Sequence, residues 1–295
     1  MPTALAHPPG GSDEIALASF RNPQGVPAED RVLAEALRRL GRVVAHPVWD
    51  DSAVNWGRFG VVVVRSTWDY HRKRPAFLRW IRGVARLTQL QNPPDVLRWN
   101  TDKRYLRELE RAGVPVVPSV WGRPGRPPNL ARTMEERGWN IVVVKPAVSA
   151  AGDRTFRVGR SQVERGQRRL DAICATGAAI VQPYYSSVDG TGERSLIYLG
   201  GRFSHSVRRN PLFPREGRRP PERLASTTRP MRTVAASALQ ACPGELLYAR
   251  VDLVSDDDRR WRVLEVELTE PSLFFVPYPA AADRMASGID RLLRR

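Results

Sequence analysis

The stretch Tyr248–Phe275, YARVDLVSDDDRRWRVLEVELTEPSLFF, decides how the chain is read. Val251, Leu253 and Val254 fall in one strand and Val263, Leu264, Val266 and Leu268 in the next, joined by the turn SDDDRR. Side chains two apart in a strand share a face, so Glu265 and Glu267 point the same way and Asp252 takes one face of the strand before them. Glu270 follows just past the strand end. Carboxylates that face one another across adjacent strands repel unless a cation sits between them. An all-oxygen set suits Mg²⁺ held together with phosphates. A solvated acidic face would show the same pattern, and the rest of the chain has to separate the two.

The 295 residues suffice for one large domain or two to three smaller ones, and 42% hydrophobic residues can build a core. No run approaches the ~20 apolar residues of a membrane span. The first residues, MPTALAHPPGGSD, lack the basic-then-apolar order of a secretory signal, and residues 1–12 read as a disordered tail. Cys174 and Cys242 form neither a disulfide framework nor a metal spacing. The expectation is a soluble cytoplasmic protein with no membrane partner. A net charge of +16 raises nucleic acid as a partner. Against it, the arginines are scattered rather than gathered in one arm, and no zinc-finger, RNP-like or helix-turn-helix pattern occurs. The charge fits an acidic substrate or solubility equally well.

The lysines are more telling. The chain has 44 arginines and three lysines, Lys73, Lys103 and Lys145. A compact ammonium and a planar guanidinium are not interchangeable against a nucleotide phosphate, so a chain that writes Arg nearly everywhere marks Lys103 and Lys145 as candidates. Lys73 reads as a surface residue.

In chain order, strands at 15–20, 43–48, 61–64 and 89–91 and helices at 27–40 and 74–87 give β-α-β-β-α-β, an open parallel sheet with helices on its faces. Ligands sit at the carboxyl ends of such strands. Arg65, Ser66, Trp68, Asp69 and Tyr70 occupy one such end and could grip an amino-acid-like substrate; a capped helix start with Trp68 packed inside explains them as well. Pro93-Pro94 punctuates the chain, and Thr101 reads as the N-cap of a helix over 102–112. Strands are expected at 114–117 and 141–144. Lys145 ends the latter, and the small residues Ser149, Ala150, Ala151 and Gly152 follow, suited to close approach by phosphate. The order is not that of a Walker loop. A helix at 161–175 and a strand at 179–182 lead to a hairpin, 195–199 and 202–207, turning at Gly200-Gly201. Residues 210–230 are Pro/Arg-rich without pattern. Helices at 233–242 and 281–293 flank the acidic hairpin.

In sequence, Asn92-Pro93 through Lys103, Lys145-Pro146 with Ser149–Gly152, Gln182-Pro183-Tyr184, Glu193-Arg194 and Arg208, and Asp252 with Glu265-Val266-Glu267 resemble the ATP-grasp superfamily at its glutathione-synthetase-like end, roughly from Asn92 to Phe275. STWDYH, NPPDVLRWNTDK, KPAVSA, GERS, FSHSVR and EPSLF resemble ATP-grasp ligases of the cycloserine pathway, the O-ureido-D-serine cyclo-ligase type. The resemblance implies an α/β (α+β) fold: an N-terminal parallel-sheet pre-ATP-grasp domain at 13–98 and two α+β subdomains, 99–184 and 185–295, clasping ATP. It implies that Lys103 and Lys145 hold phosphates and that Ser149–Gly152 close over them. Gln182, Pro183 and Tyr184 would take the adenine and Asp189 the ribose. Arg194 and Arg208 would face the γ-phosphate and the acyl phosphate, with the register at Arg208-Arg209 open by one. Asp252, Glu265 and Glu267 would hold Mg²⁺. Glu267 departs from the family's usual Asn and adds a negative charge. Relatives of this kind are often dimers, so the resemblance leaves a homodimer open, but no stretch of the sequence shows an interface.

The implied activity is ATP- and Mg²⁺-dependent carboxylate–amine ligation of an amino-acid-like small molecule, in specialised, antibiotic-type metabolism. Two alternatives stand beside it. One is a peptide-bond ligase with a larger acceptor, for which residues 210–230 would form a lid. The other is a non-catalytic basic protein binding an anionic polymer on the same fold.

Overall fold

The computed structural model describes residues 13–210 and 222–294. The tail expected at 1–12 lies outside the described residues, as do residues 211–221 of the long connection.

The chain opens with β1 (Glu14–Ser19), α1 (Ala28–Arg39), β2 (Val43–Ala45), β3 (Val61–Ser66), α2 (Arg74–Val84) and β4 (Gln89–Gln91). The four strands form a parallel sheet in the order β2-β1-β3-β4. Every residue of β3, VVVVRS, is buried, because both faces of the sheet are covered. Val61 and Val63 join Ile15, Leu17, Leu33 and Leu37 on one side. Val62 and Val64 join Ala16, Ala18, Phe77 and Ile81 on the other.

The next elements are α3 (Pro94–Asn100), α4 (Tyr105–Arg111), β5 (Val120–Gly122), α5 (Leu130–Glu136), β6 (Ile141–Pro146), β7 (Phe156–Gly159), α6 (Val163–Cys174) and β8 (Ala179–Pro183). Three local expectations are corrected here. The proline pair starts a helix instead of only punctuating, since a proline in the first turn has no intrahelical N–H to lose. Thr101 consequently caps the C-terminus of α3, its hydroxyl donating to the Arg98 carbonyl at 3.0 Å, and the helix expected over 102–112 begins only at Tyr105. The strand expected at 114–117 is a single parallel bridge, Val116 to Val263, and the strand itself comes later as β5. The antiparallel sheet β5-β8-β6-β7 is backed by α5 and α6 through Leu130, Met134, Leu170 and Ile173.

The chain then runs through α7 (Ser187–Gly190), β9 (Glu193–Leu199), β10 (Arg202–Arg209), β11 (Arg223–Leu224), α8 (Arg229–Gln240), β12 (Tyr248–Ser255), β13 (Trp261–Glu267) and α9 (Pro279–Leu293). The hairpin β9–β10 turns at Gly200 and Gly201, both with positive φ (56° and 73°), as its mirror-image turn requires. The acidic hairpin forms as expected. Its strands pair antiparallel within the sheet β11-β10-β9-β12-β13, with Asp252 opposite Glu265 and Arg250 opposite Glu267. Helix α8 covers one face through Met231, Ala235 and Ala238. Met285 and Ile289 of α9 pack into the apolar cluster of the parallel sheet, so the last helix ties the two ends of the chain together.

Candidate active site

A cavity of about 520 Å³ lies between the two antiparallel sheets. Lys145, the small-residue loop and Gln182–Tyr184 form one wall; Asp252 and Glu265–Glu267 form the other; Trp68 and Tyr70 close one end.

Strand alternation decides which side chains enter. On β6 the apolar Val142 and Val144 turn to the core, and Val143 and Lys145 line the cavity. Lys145 is 7% exposed, and burial holds its ammonium below the usual lysine range, with Glu265 opposing and Lys103 adding to the effect. Lys103 precedes α4, and its ammonium donates to the Ser149 carbonyl at 2.7 Å and lies 3.0 Å from Glu265. Burial pushes the Glu265 carboxyl up, but Lys103 and Lys145 outweigh it and hold the group below the ordinary range. The loop after Lys145 turns through Ala151 (φ 51°) and Gly152 (φ 74°), and its Asp153 lies 3.3 Å from the His71 ring.

On the opposite wall Asp252 has three partners. It accepts from Ser195 at 2.5 Å, from Arg250 at 2.9–3.2 Å and from Arg209 at 3.2 Å. Burial raises its carboxyl, and Arg250 followed by Arg209 more than offset this. Arg250 also pairs with Glu267. Glu267 behaves differently: burial, with Glu265 and Asp252 close by, pushes its carboxyl up to about 7 despite Arg250. Glu193 is raised too, by burial first, although Arg209 stands 3.7 Å away.

The arginine expectations need correction. Arg194 and Arg208 are cross-strand partners, and neither lines the cavity. Arg194 donates to the Thr191 carbonyl at 2.6 Å, and Arg208 is exposed and bonds the Gly190 carbonyl. Their neighbours Glu193 and Arg209 pair on the other face, which is the face of Asp252, so the open register falls on Arg209. Arg250 had no part in the sequence reading. The signal was present, since Arg250-Val251-Asp252 puts Arg250 on the face of Asp252 by alternation.

The segment after β3 is also divided. Trp68 and Tyr70 line the cavity; Arg65, Ser66 and Asp69 do not. Arg65 is buried against Asp30 (3.2 Å) and the Pro271 carbonyl (3.3 Å), and Ser66 donates to Asp30 at 2.6 Å. Asp69 accepts from Trp49 at 2.8 Å and meets Lys73 at 3.4 Å. Arg65 and Ser66 are fixed because the strand end abuts α1 and the Pro271 segment, and Asp69 is held by Trp49 and Lys73. Ser149, Gly152, Gln182, Pro183 and Tyr184 line the cavity as expected. Asp189 stands behind the wall, accepting from the Tyr184 hydroxyl at 2.6 Å, while the Arg157 guanidinium lies 4.0 Å from the Tyr184 ring centre.

The donor set tests whether Mg²⁺ fits. Asp252, Glu265 and Glu267 offer only oxygen, as Mg²⁺ requires. Among the described residues no three acidic, imidazole or thiol groups converge as an ion cage. Mg²⁺ does not need one, since it binds through one or two carboxylates plus substrate phosphates and keeps several waters. Burial first, then Glu265 and Asp252, raise the Glu267 carboxyl, and a cation would favour its ionised form. The residues fit.

Comparison with known proteins agrees with this fold. A sequence profile of the N-terminal domain of D-cycloserine synthetase DcsG matches residues 15–92. The cycloserine biosynthesis protein DcsG of Streptomyces lavendulae is 34% identical over 280 residues, covering 89% of this chain and 93% of that protein. The crystal structure of D-cycloserine synthetase DcsG superposes with a TM-score of 0.86 at 31% identity, over 95% of this chain and 99% of that one. D-alanine–D-alanine ligase from Bacillus anthracis shares the fold (TM-score 0.67, 13% identity, 96% and 97% coverage). The chain therefore belongs to the DcsG family of ATP-grasp ligases, ATP-dependent enzymes that form C–N bonds.

Proposed function

We propose that the cavity takes ATP with Mg²⁺ and joins a carboxylate to an amine on an amino-acid-like small molecule, by way of an acyl phosphate. The observation that carries this is the opposition of two buried lysines, Lys103 and Lys145, to the carboxylate wall Asp252–Glu265–Glu267. The amino-acid class follows the relative, whose name places it in cycloserine biosynthesis.

In this reading the substrate carboxylate oxygen attacks the γ-phosphorus and ADP leaves. The amine nitrogen then attacks the acyl carbon and phosphate leaves, with a proton lost from nitrogen. Both reactants of the first step are anions, so the protein's part is neutralisation and positioning. Lys103 and Lys145 hold the phosphates, and the carbonyl of Ser149 fixes the Lys103 ammonium. Gln182–Tyr184 take the adenine, with Tyr184 steadied by Asp189 and Arg157. Arg209 and Arg250 reach the face where the acyl phosphate forms, and Asp252 orients both. Asp252, Glu265 and Glu267 would hold Mg²⁺, which would supply positive charge against the phosphates. The Ser149–Gly152 loop excludes water, which would otherwise hydrolyse the acyl phosphate.

Thermal shift with Mg²⁺-ATP tests the reading. Ligand at 100 times its Kd adds roughly 2.7 kcal/mol of stability. Wild type shifts, and Lys145→Ala and Glu265→Ala do not. Absence of a wild-type shift at millimolar Mg²⁺-ATP sinks the ligase reading. Amino acids that release ADP then define the substrate.

A further inference from the structure

Each carboxylate of the cavity has a partner except one. Asp252 is held by Arg250 and Arg209, Glu265 by Lys103, Glu267 by Arg250 and Glu193 by Arg209. Glu270 lines the same cavity, and among the described residues its carboxylate makes no hydrogen bond and no ion pair. Burial, followed by the charge of Glu267, pushes this carboxyl well above its ordinary range. A second group nearby is also unsatisfied. Tyr70 is 4% exposed and lines the cavity, yet its hydroxyl has no hydrogen-bond partner among the described residues. Glu270 is the first carboxylate after burial to raise the Tyr70 phenol, which places the two groups in one electrostatic neighbourhood. Glu270 is half-buried, and both groups open onto the cavity, where what enters can pair with them.

We infer that Glu270, the Tyr70 hydroxyl and the Trp68 ring form a subsite for the ammonium group of an amino-acid substrate. This rests on the ligase reading and names the substrate end that the family match leaves open. An ammonium brings three donors and no acceptor, and its charge would favour the ionised form of Glu270, which with the Tyr70 oxygen supplies the acceptors. It also gains from an aromatic face, and the Trp68 indole N–H donates to the backbone carbonyl of Glu270 at 3.2 Å, which ties the ring to the Glu270 backbone at the same end of the cavity. A divalent ion is the poorer occupant, because indole and phenol are not Mg²⁺ ligands. The counter-end of a zwitterion is supplied in the same segment. Arg250 donates to the carbonyl of Ser272 at 3.3 Å, two residues beyond Glu270. An amino acid would thus lie with its ammonium towards Tyr70 and Glu270 and its carboxylate towards Arg250 and Arg209, where the acyl phosphate has to form.

Calorimetric titration of the full chain with Mg²⁺ and a non-hydrolysable ATP analogue tests this. The probes are D-serine, D-alanine and D-cycloserine, each against its N-acetyl derivative. In wild type at least one free amine binds, and its acetylated form binds at least about 10-fold more weakly. Glu270→Gln weakens the free amine about 10- to 100-fold, the range for losing a charge-assisted hydrogen bond, so that the preference for the free amine disappears. Tyr70→Phe weakens it about 5-fold. Three results overturn the assignment: acetylated and free forms binding wild type alike, Glu270→Gln keeping the preference, or no amine binding to a wild type that shows its Mg²⁺-ATP thermal shift. A wild type without that shift is a failure of the ligase reading itself and removes the subsite with it.

Discussion

Two regions of this molecule use the same residue types to opposite ends. At the end of β3, Arg65 meets Asp30 at 3.2 Å and Glu29 at 3.7 Å, donates to the Pro271 carbonyl and lies over the rings of Tyr248 and Phe275. Every charge there is answered by the protein. On the β12–β13 wall, Arg250 serves Asp252 and Glu267 at once, and Glu193, Glu267 and Glu270 all stay above the ordinary carboxylate range. Charge there is crowded and incompletely answered. The difference separates scaffold from chemistry: saturated buried charge holds elements together, and unsaturated charge around a cavity waits for a ligand.

The comparison breaks most readily at the lysines. Lys145→Ala is expected to lower ADP release by about 10³-fold, the scale for removing one preorganised charge from a transition state, while the free protein stays folded. Steady-state ADP release set beside circular dichroism checks both halves. The mirror-image case is Asp30→Ala, which strips Arg65 and Ser66 of their shared acceptor. It should lower folding stability by about 3 kcal/mol and leave the Mg²⁺-ATP thermal shift in place. An Asp30 variant that unfolds no more easily than wild type would mean that the β3 end is not the saturated scaffold described.

The arginine pair on β10 sharpens the contrast within a single strand. Arg209→Ala should lower kcat by about 10²-fold. Arg208→Ala, whose side chain lies exposed outside the cavity, should stay within about 2-fold of wild type. The reverse order would place the reacting face on the wrong side of the sheet.

These positions also show what the sequence can and cannot say. The parallel sheet was legible because β3 is buried on both faces and so reads as an unbroken apolar run. The acidic hairpin was legible because two apolar runs flank a polar turn, and Glu265 and Glu267, two apart, share a face despite the register shift beside Asp252. Lys103 and Lys145 stood out by rarity against 44 arginines. The arginines failed for the same reason: with so many, type carries no information and only the face does. Face depends on register, and a shift of one residue exchanges Arg208 for Arg209. Arg65 and Asp69 misled because a charged residue at a strand end looks alike whether a ligand or Asp30, Trp49 and Lys73 will satisfy it. The partners lie far away in sequence, and no local pattern announces them. Thr101 misled more simply, because a threonine next to a helix can cap either end, and the start of α3 at the proline pair settled which.

The pH dependence of stability should divide along the same line. His205 lies on β10 away from the cavity, its ring hydrogen-bonding the Leu273 carbonyl at 3.1 Å and Ser204 at 2.9 Å. Burial lowers its pKa to about 4, with the Leu273 contact opposing. Its folded pKa is below its unfolded value near 6.5, so the unfolded state takes up the proton first. Stability from this site is therefore complete above pH 6.5 and is lost as pH falls from 6.5 towards 4. Glu267 runs the other way. Its folded pKa is raised from 4.5 to about 7, so the folded state holds the proton longer, and the ligand-free protein loses stability as pH rises through that window. Mg²⁺-ATP should reverse the Glu267 arm, because a cation favours the ionised carboxyl, and should leave the His205 arm untouched. Melting temperatures from pH 4 to 8 for wild type, His205→Asn and Glu267→Gln, with and without nucleotide, separate the two. If nucleotide fails to change the slope between pH 4.5 and 7 in wild type, Glu267 does not face the bound cation, and the division between saturated and waiting charge fails at the residue where it is sharpest.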